Sequence, residues 1–424
     1  ERLLTKPPGM YIAIVLCSLP VGQVTDWTAR LPAALAATGS VLLLGWYVRR
    51  QLGTMAGVLA VLLTPLSLAW LDKATAAEID MLLVFWVVAS IVCFLRGMEC
   101  VEETDQQDPS PPLTWFALAY LSLALGFLTK WTSPIFFFGT LLPFLYWRGQ
   151  LRLLIRPIHL VSVVPAVAVI GAWVWLTADR VGWETLYTQV SQEWLGHVRP
   201  SHHHRSYPWG ESLIYPCRVW LAALPVSVFA LFAFKLNPNQ LAAGEARMRQ
   251  VYLCWLVFPL LFWTIFPDHD VRQSLSLFPA IGGLATLTWR RWLAPAHARR
   301  LWSPSVALVA LIVSWLIVKL AFVHVVMPIR THERQPRLKG ELLARHVPAG
   351  ATLYLDRLKD DGLLFYYGRP TERRANLTQL TFPSRPIYAI LTEHEYRQRS
   401  ATCQLVIWLH DQQGEPIVLV RLEG

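Results

Sequence analysis

Long apolar segments recur along most of this chain and constrain its fold more than any other feature. A helix needs about 20 mostly apolar residues to cross the hydrocarbon core of a bilayer. Such segments predict about ten membrane spans, at 30–48, 55–71, 80–97, 114–129, 131–147, 158–177, 212–234, 251–267, 273–291 and 304–327. The shorter apolar run at 9–22 contains Pro20 and is interpreted as an interfacial helix lying along the bilayer surface. The sequence therefore predicts a polytopic membrane helix bundle with the lipid bilayer as its solvent.

Composition agrees with a membrane location and excludes several other classes. Only 16% of the 424 residues are charged, whereas a soluble chain usually carries about 25%. The formal net charge of +10 does not predict a nucleic-acid partner, because the basic residues are scattered between apolar runs as cytoplasmic-side anchors are. The six cysteines have no paired spacing and are interpreted as packing residues.

Arginines in alternate loops orient the predicted spans. Lys and Arg near the ends of membrane spans mark the cytoplasmic face. The residues concerned are Arg49, Arg50, Arg96, Arg148, Arg152, Arg156, Lys235, Arg247, Arg249, Arg290, Arg291, Arg299 and Arg300. An even number of spans then places the corners at 71–80 and 267–272, the loop at 178–211 and everything after residue 328 outside the cytoplasm. We therefore expect a multi-pass protein of the plasma (inner) membrane.

The sequence pattern changes after residue 328. Short runs such as "ATLYLDR", "CQLVIWLH" and "PIVLVRLE" are typical of strands, and "RLKGELLARHV" predicts a helix. We therefore expect a mainly α fold with two domains. A transmembrane domain comprises residues 1–328, and a small soluble α/β domain outside the cytoplasm comprises residues 329–424.

Ionisable residues gather at the predicted outer corners, where they are candidates for function. The corner "WLDKATAAEIDMLLVFW" carries Lys73, Glu78 and Asp80. Asp80 lies where a loop becomes a helix, so its carboxylate could cap that helix and favour the positive end of its dipole. Alternatively, the two carboxylates could orient a polar substrate. A second corner, "FPDHDVRQSLSLFP", carries His269 and Arg272.

The large predicted outer loop contains "HVRPSHHHRSYPWGE". Neighbouring histidines on an extended chain point to alternate sides and no zinc-type spacing is present, so we predict no metal site here. Arg205 and His204 beside Tyr207 and Trp209 favour an anionic, ring-bearing ligand, because guanidinium binds phosphate in a fork and aromatic rings stack on sugars. An aromatic belt at the membrane interface is the alternative.

Two lysines lie near the same predicted face. In "LTKPPG" two prolines fix an extended turn beside Lys6, which can act as a point charge on a phosphate. Lys130 in "LTKW" is interpreted as snorkelling to the interface.

Six short motifs occur in an order that is typical of one enzyme class: "KPPGMY", "ARLPAAL", "YVRRQLGTMAG", "AAEIDMLLVFW", "LGFLTK" and "HDVRQSLSLFP". Over residues 1–290 the chain resembles the bacterial membrane glycosyltransferases related to aminoarabinose transferase and protein O-mannosyltransferase, the GT-C class. The resemblance implies transfer of a sugar from a polyprenyl-phosphate donor to a lipid, glycan or protein acceptor at the outer membrane face.

The resemblance also implies roles for individual residues. Lys6 is expected beside the donor phosphate, and Arg272 is expected to face the same phosphate. Together with Arg205 they form the predicted phosphate-binding set. Asp80 matches the acidic residue that opens the family's fourth helix. The predicted substrate-binding residues are His204, Tyr207, Trp209 and His269.

Two features depart from the family pattern. Thr5 stands where the family usually has an acidic residue, associated in some members with a metal, so a divalent metal cofactor stays open. The family's general base lies in a loop upstream of the KPP turn. We therefore expect the base upstream of Glu1, in a chain that is incomplete at its amino terminus, and take Asp80 and Glu78 as secondary catalytic candidates.

A transporter and a non-catalytic scaffold are the two alternatives to a glycosyltransferase. A transporter or flippase of an amphiphilic anion would need broken or polar stretches near mid-span. The predicted spans at 55–71 and 304–327 are almost uninterrupted, which argues against transport. A non-catalytic scaffold would leave the gathering of Lys6, Asp80 and Arg272 on one face unexplained.

Overall fold

A computed structural model describes residues 6–102, 112–198, 207, 209–267, 269–293, 304–355, 360–373, 387–399, 403–411 and 414–422. The chain divides into two compact units, a helical unit Leu4–Val313 and a mixed unit Ser314–Gly424. The division falls inside a helix, Pro304–Ala321, so the domain boundary expected at 328–329 stays a prediction.

Helices form nearly all of the first unit. They are α1 (Gly9–Ser18), α2 (Asp26–Leu52), α3 (Thr54–Leu63), α4 (Leu68–Lys73), α5 (Asp80–Glu102), α6 (Pro112–Thr129), α7 (Ser133–Trp147), α8 (Pro157–Val181), α9 (Trp183–Val198), α10 (Trp209–Ala222), α11 (Val226–Phe234), α12 (Ala243–Ile265) and α13 (Phe278–Trp292). Helix α14 (Pro304–Ala321) reaches across the division between the units. A 3-10 turn, Val271–Leu277, connects α12 to α13.

Six helices in the described part of the chain are long and apolar enough to cross a membrane. They are α2, α5, α6, α8, α12 and the helical run that begins with α14. Helices α1, α3 and α7 are apolar but shorter. The polytopic helical fold is confirmed, whereas the count of about ten spans stays a prediction.

Several predicted spans are interrupted. The span expected at 55–71 is two helices, α3 and α4, because Pro65 has no N–H to continue the ladder and its ring clashes with the preceding turn. The span expected at 212–234 is broken before Pro225 in the same way. The two breaks meet, since Leu68 N–H donates to the Leu224 carbonyl at 3.0 Å. The prediction that 55–71 is uninterrupted is therefore wrong.

Helix α5 is the centre of the first unit. In the most apolar 18-residue stretch of α5, 89% is buried inside the protein. The corresponding share for α8, at the periphery, is 11%. Helices α2, α6 and α7 and the 271–277 turn pack around it. Apolar residues such as Val84, Val88 and Ile91 have no exposed surface, as expected for a helix that is hydrophobic all round.

A polar network holds the carboxyl-terminal end of α5. The Glu99 carboxylate is 4% exposed and accepts hydrogen bonds from Tyr47 Oη and Gln51 Nε2, each at 2.6 Å. Arg96 NH1 lies 3.2 Å away and Arg50 Nε 3.4 Å away. We call these five residues the Glu99 network. Charge-assisted hydrogen bonds of this kind compensate the cost of burying the carboxylate.

The second unit contains a five-stranded sheet in the order β2-β1-β3-β5-β4. Its strands are β1 (Leu353–Leu355), β2 (Thr371–Arg373), β3 (Ile387–Thr392), β4 (Cys403–His410) and β5 (Pro416–Leu422). The first three strands are parallel, and β5 pairs antiparallel with both β3 and β4. The remaining helices are α15 (Met327–Arg334), α16 (Pro336–His346), α17 (Asp361–Tyr367) and α18 (Glu393–Arg399).

Apolar residues cover both faces of this sheet. One cluster joins strand residues such as Leu355 and Leu419 to Leu343 of α16 and Leu363 of α17. The other includes Ala389 and Val418, with Tyr396 of α18 packed against it. Alternation along the strands sends neighbouring residues to opposite faces. The small α/β domain expected at the carboxyl terminus therefore has its own core.

Candidate functional site

The amino-terminal end of α5 holds a buried ion pair. Asp80 is the first residue of α5, and Lys130 directly follows α6. Lys130 Nζ donates to Asp80 Oδ1 at 2.8 Å, and the two residues are 8% and 5% exposed. A buried carboxylate is costly unless its charge is compensated. The prediction that Lys130 snorkels is therefore wrong, because its ammonium group turns into the protein to meet Asp80.

The sequence did contain a signal for this pair. Helices α5 and α6 are consecutive and pack against each other. The start of one and the end of the next lie at the same depth when two such helices are antiparallel. A carboxylate at the first position and an ammonium group at the second can then meet. Capping of α5 alone does not account for Asp80.

A second ion cluster occupies the corner before α5. Lys73 Nζ lies 3.0 Å from Glu78 Oε1 and 3.2 Å from Asp72 Oδ2. Burial alone would lower the pKa of Lys73, but the two carboxylates outweigh it and raise that pKa above its ordinary value. Glu78 Oε2 is buried and has no hydrogen-bond partner among the described residues. One oxygen of this carboxylate is thus left for another donor.

The Lys-Pro-Pro-Gly turn packs on the same end of α6. Helix α1 begins at Gly9, and a Cβ atom there would lie 2.6 Å from Thr129 Oγ1 and 2.8 Å from the Leu128 carbonyl oxygen. Only glycine allows an approach this close. Lys6 lies three residues before Gly9. The turn is therefore fixed beside the residue that precedes Lys130.

The late corner brings Arg272 to the carboxylates of the first corner. Asp270 caps the 271–277 turn by accepting from the Arg272 N–H at 2.9 Å, and it accepts from Arg272 Nε at 2.7 Å. This hydrogen bond is the main cause of the raised pKa of the guanidinium, and the charges of Asp80 and Glu78 add to it. The turn also packs against α4 and α5. The turn that carries Arg272 thus lies against the end of α5 that begins with Asp80.

His269 is enclosed by protein beside this corner. Its side chain is 1% exposed, and its Nε2 lies 3.0 Å from Ser212 Oγ and 3.3 Å from the Thr264 carbonyl oxygen. Its Nδ1 has no hydrogen-bond partner among the described residues and lies 3.8 Å from Glu211 Oε2. A predicted substrate contact at His269 therefore has to come from the side that Glu211 faces.

Tyr207 and Trp209 lie next to each other at the start of α10. Their ring centroids are 4.5 Å apart, and Trp209 is 75% exposed. Tyr207 Oη donates to the Ile265 carbonyl oxygen and accepts from Ser212 Oγ at 2.9 Å. Ser212 therefore connects Tyr207 to His269. Arg205 and His204, which belong to the same predicted set, lie outside the described residues.

Possible metal ligands are dispersed over the described ranges. Within them, no three His, Cys, Asp or Glu residues are close enough together to hold a metal ion. Asp80 and Glu78 are each engaged by a lysine instead. The described residues therefore provide no ligand set for a divalent metal.

A family model covers the first part of the chain. Residues 5–175 match the model described as dolichyl-phosphate-mannose-protein mannosyltransferase. This stretch includes Lys6, Glu78, Asp80 and Lys130. Over this stretch the chain is similar to that glycosyltransferase family. A search of curated protein sequences finds no significant match.

Solved structures agree with the GT-C fold over almost the whole chain. ArnT from Cupriavidus metallidurans in the apo state shares 16% identity at a TM-score of 0.67, covering 99% of this chain and 88% of that one. The same protein bound to undecaprenyl phosphate shares 17% identity at a TM-score of 0.68, covering 98% and 88%. At these identities the likeness establishes the fold, and the expected GT-C architecture is confirmed.

A third structure is more distant. The Archaeoglobus fulgidus oligosaccharyltransferase, in complex with Zn and sulfate, shares 11% identity at a TM-score of 0.51. The match covers 98% of this chain and 64% of that one. The fold of the present chain is thus similar to that of this structure as well, at a lower TM-score than for ArnT.

Proposed function

We propose that the protein transfers a sugar from a polyprenyl-phosphate donor to a lipid, glycan or protein acceptor at the outer face of the membrane. One observation carries the proposal. The turn before α1, the junction after α6, the start of α5 and the late corner are distant in sequence, yet they converge at one end of the helical unit. Their lysines and arginine would stabilise the negative charge that a phosphate leaving group gains.

Lys6 and Arg272 are the proposed phosphate-binding residues, with Arg205 as a third. A guanidinium has five N–H donors, and Asp270 engages the Arg272 side chain from one side. Arg272 is about half exposed, so the rest of its fork can face a ligand. The undecaprenyl phosphate in the related ArnT structure supports a polyprenyl-phosphate donor.

The aromatic edge at the start of α10 is the proposed sugar or acceptor contact. The exposed ring of Trp209 offers a flat apolar face, and the adjacent Tyr207 is fixed through its hydroxyl group. Aromatic faces of this kind stack on sugar rings. His269 and His204 complete the proposed set. His269 would act beside Glu211 at the edge of this surface.

Glu78 is the better placed of the two secondary catalytic candidates. In the reaction, the acceptor oxygen bonds to the sugar C1 atom, the bond from C1 to the phosphate oxygen breaks, and the acceptor hydroxyl loses a proton. A base must have a lone pair within reach of that proton. Glu78 Oε2 is unpartnered among the described residues, whereas Asp80 is bound to buried Lys130.

The proposed orientation places this end of the helices outside the cytoplasm. The opposite end is rich in arginines: Arg50 and Arg96 belong to the Glu99 network, and Arg290 and Arg291 bind Glu245. Arginine-rich ends of membrane helices face the cytoplasm. This supports a plasma-membrane protein whose candidate site faces outward.

Transport of an amphiphilic anion is the second candidate. Broken helices line the substrate sites of many transporters, and the breaks at Pro65 and Pro225 are of this type. The two functions differ in their products. A transferase cleaves the donor, whereas a transporter moves it intact across a sealed vesicle.

The deciding experiment uses the purified full chain in sealed liposomes that contain undecaprenyl-phosphate-linked sugars with a radiolabelled sugar, together with a cell-envelope extract as acceptor. We expect the label to move to the acceptor and undecaprenyl phosphate to be released. Lys235→Ala, at the end of α11, is the matched control for Lys6→Ala. Movement of intact donor without cleavage, or normal transfer by Lys6→Ala, would overturn the proposal.

A further inference from the structure

Lys130 lies between the two elements proposed to bind the donor phosphate. Through the chain, it follows Thr129, against which Gly9 of the Lys-Pro-Pro-Gly turn is packed. Through its side chain, it binds Asp80 at 2.8 Å. Asp80 in turn begins α5, against which the 271–277 turn that carries Arg272 is packed. One residue therefore connects the segment that carries Lys6 with the corner that carries Arg272.

The negative charge of Asp80 would affect the binding of an anionic donor nearby. A carboxylate that is 5% exposed is poorly screened by water, and its repulsion of a nearby anion is stronger than at a protein surface. Without compensation it would compete with a phosphate for the neighbouring cations. The Lys130 ammonium group compensates it through direct contact. Among the described residues, no other side chain donates a hydrogen bond to Asp80.

We propose that Lys130 is a positioning residue for the donor phosphate. It neutralises Asp80 and holds that carboxylate away from the anion, so that Lys6 and Arg272 can direct their charges at the phosphate. The proposal rests on the proposed function, because it assumes an anionic donor at this site.

Attachment of α5 to α6 does not require this pair. The two helices pack along their length, with Phe94 and Phe116 rings 5.3 Å apart. Gly97 of α5 approaches the Phe116 ring so closely that a Cβ atom would lie 2.7 Å from it. A buried ion pair is in any case weak evidence for stability, because desolvation offsets its attraction. The pair therefore needs an explanation other than helix packing.

The test measures binding of undecaprenyl phosphate to the purified full chain in lipid nanodiscs, with undecaprenol as the probe that lacks phosphate. For Lys130→Met we expect undecaprenyl phosphate to bind about tenfold more weakly, with undecaprenol binding unchanged. Lys130→Arg should recover most of the affinity, because a cation again faces Asp80. The double variant Asp80→Asn/Lys130→Met should bind within about threefold of wild type, since it leaves no uncompensated carboxylate.

Arg96→Met is the matched control, because it removes a cation from a buried pair in the Glu99 network at the other end of α5. It should lower thermal stability without changing the affinity of the folded protein for undecaprenyl phosphate. If wild type does not bind undecaprenyl phosphate better than undecaprenol, the proposed function itself fails.

Two results would overturn the role of Lys130 while the proposed function stands. One is wild-type affinity in folded Lys130→Met. The other is a tenfold loss of affinity in the double variant, which would mean that Lys130 does not act by compensating the charge of Asp80. If Lys130→Met does not fold, Lys130→Arg and the double variant still decide the outcome.

Discussion

The two ends of helix α5 carry buried carboxylates in very different surroundings. At the carboxyl-terminal end, Glu99 is surrounded by four donors from α2 and α5. At the amino-terminal end, Asp80 accepts from Lys130, while Arg272 pairs with Asp270 and Glu78 pairs with Lys73 through one oxygen only, since its Oε2 has no hydrogen-bond partner among the described residues. Fully satisfied polar networks stabilise a fold, whereas partly satisfied ones concentrate at functional sites. Under the proposed function, the carboxyl-terminal end of α5 stabilises the fold and the amino-terminal end takes part in donor binding.

Removing Glu99 should have the largest effect on stability. Glu99→Ala leaves Arg96 and Tyr47 buried without their acceptor, which typically costs about 3–5 kcal/mol for a broken buried pair. Thermal unfolding in detergent or nanodiscs should show a large fall, and Asp80→Asn should show a smaller one. Equal losses of stability at both ends would contradict the assignment.

Removing the cationic side chains that are proposed to bind the donor phosphate should have the largest effect on turnover. Lys6→Ala and Arg272→Ala should each reduce kcat by about 100- to 1000-fold, as loss of one charge-stabilising donor does in other enzymes. Membrane insertion should be unaffected, because Lys6 is outside the long apolar helices. The initial rate of sugar transfer is measured for both variants and for the control Lys235→Ala, whose rate should match that of wild type. A normal rate in either site variant would remove its phosphate role.

A change at Glu78 tests its place as a secondary candidate for the general base. Glu78→Gln keeps the shape of the side chain but removes its basicity, and it should lower kcat by about 100-fold, within the usual range for general base catalysis. Asp72→Asn is the matched control, because it changes the other carboxylate that faces Lys73. Comparable losses in both variants would indicate that only the charge balance of the corner matters.

The smallest expected effect concerns the backbone that carries Lys6. Gly9→Ala should push α1 away from α6 and weaken undecaprenyl phosphate binding by about threefold to tenfold. Gly171→Ala, where a Cβ atom meets open space, is the control and should leave binding unchanged. Unchanged affinity in Gly9→Ala would mean that the turn tolerates displacement.

Much of the helical architecture could be predicted from the sequence. Helices α5, α6, α8 and α12 begin and end within several residues of the apolar runs that predicted them, because hydropathy and length together define a membrane helix. The breaks at Pro65 and Pro225 were missed. Window hydropathy stays high across a proline, although the backbone cannot continue its hydrogen-bond ladder there.

The candidate site was only partly predictable. Hydropathy and the order of motifs identify the segments that carry Lys6, Asp80 and Arg272. The antiparallel order of α5 and α6 allows Lys130 to meet Asp80, but it does not by itself show that these side chains meet. The partnership of Lys130 with Asp80 depends on the packing of α5 against α6, and a lysine at a helix end is usually a snorkelling one. Likewise, the pairing of Arg272 with Asp270 depends on the local 3-10 turn.

The meeting of the two helix breaks has a mechanical consequence. Inside a bilayer, no water is available to hydrogen-bond an unpaired backbone N–H or C=O group, so each unpaired group costs several kcal/mol. The bond from Leu68 N–H to the Leu224 carbonyl oxygen satisfies one such group at each interruption. Separating α3–α4 from α10–α11 would leave the Leu68 N–H and the Leu224 carbonyl oxygen unpaired at the same time. We therefore expect the two breaks to hold α3–α4 and α10–α11 together, so that these helices move as one body.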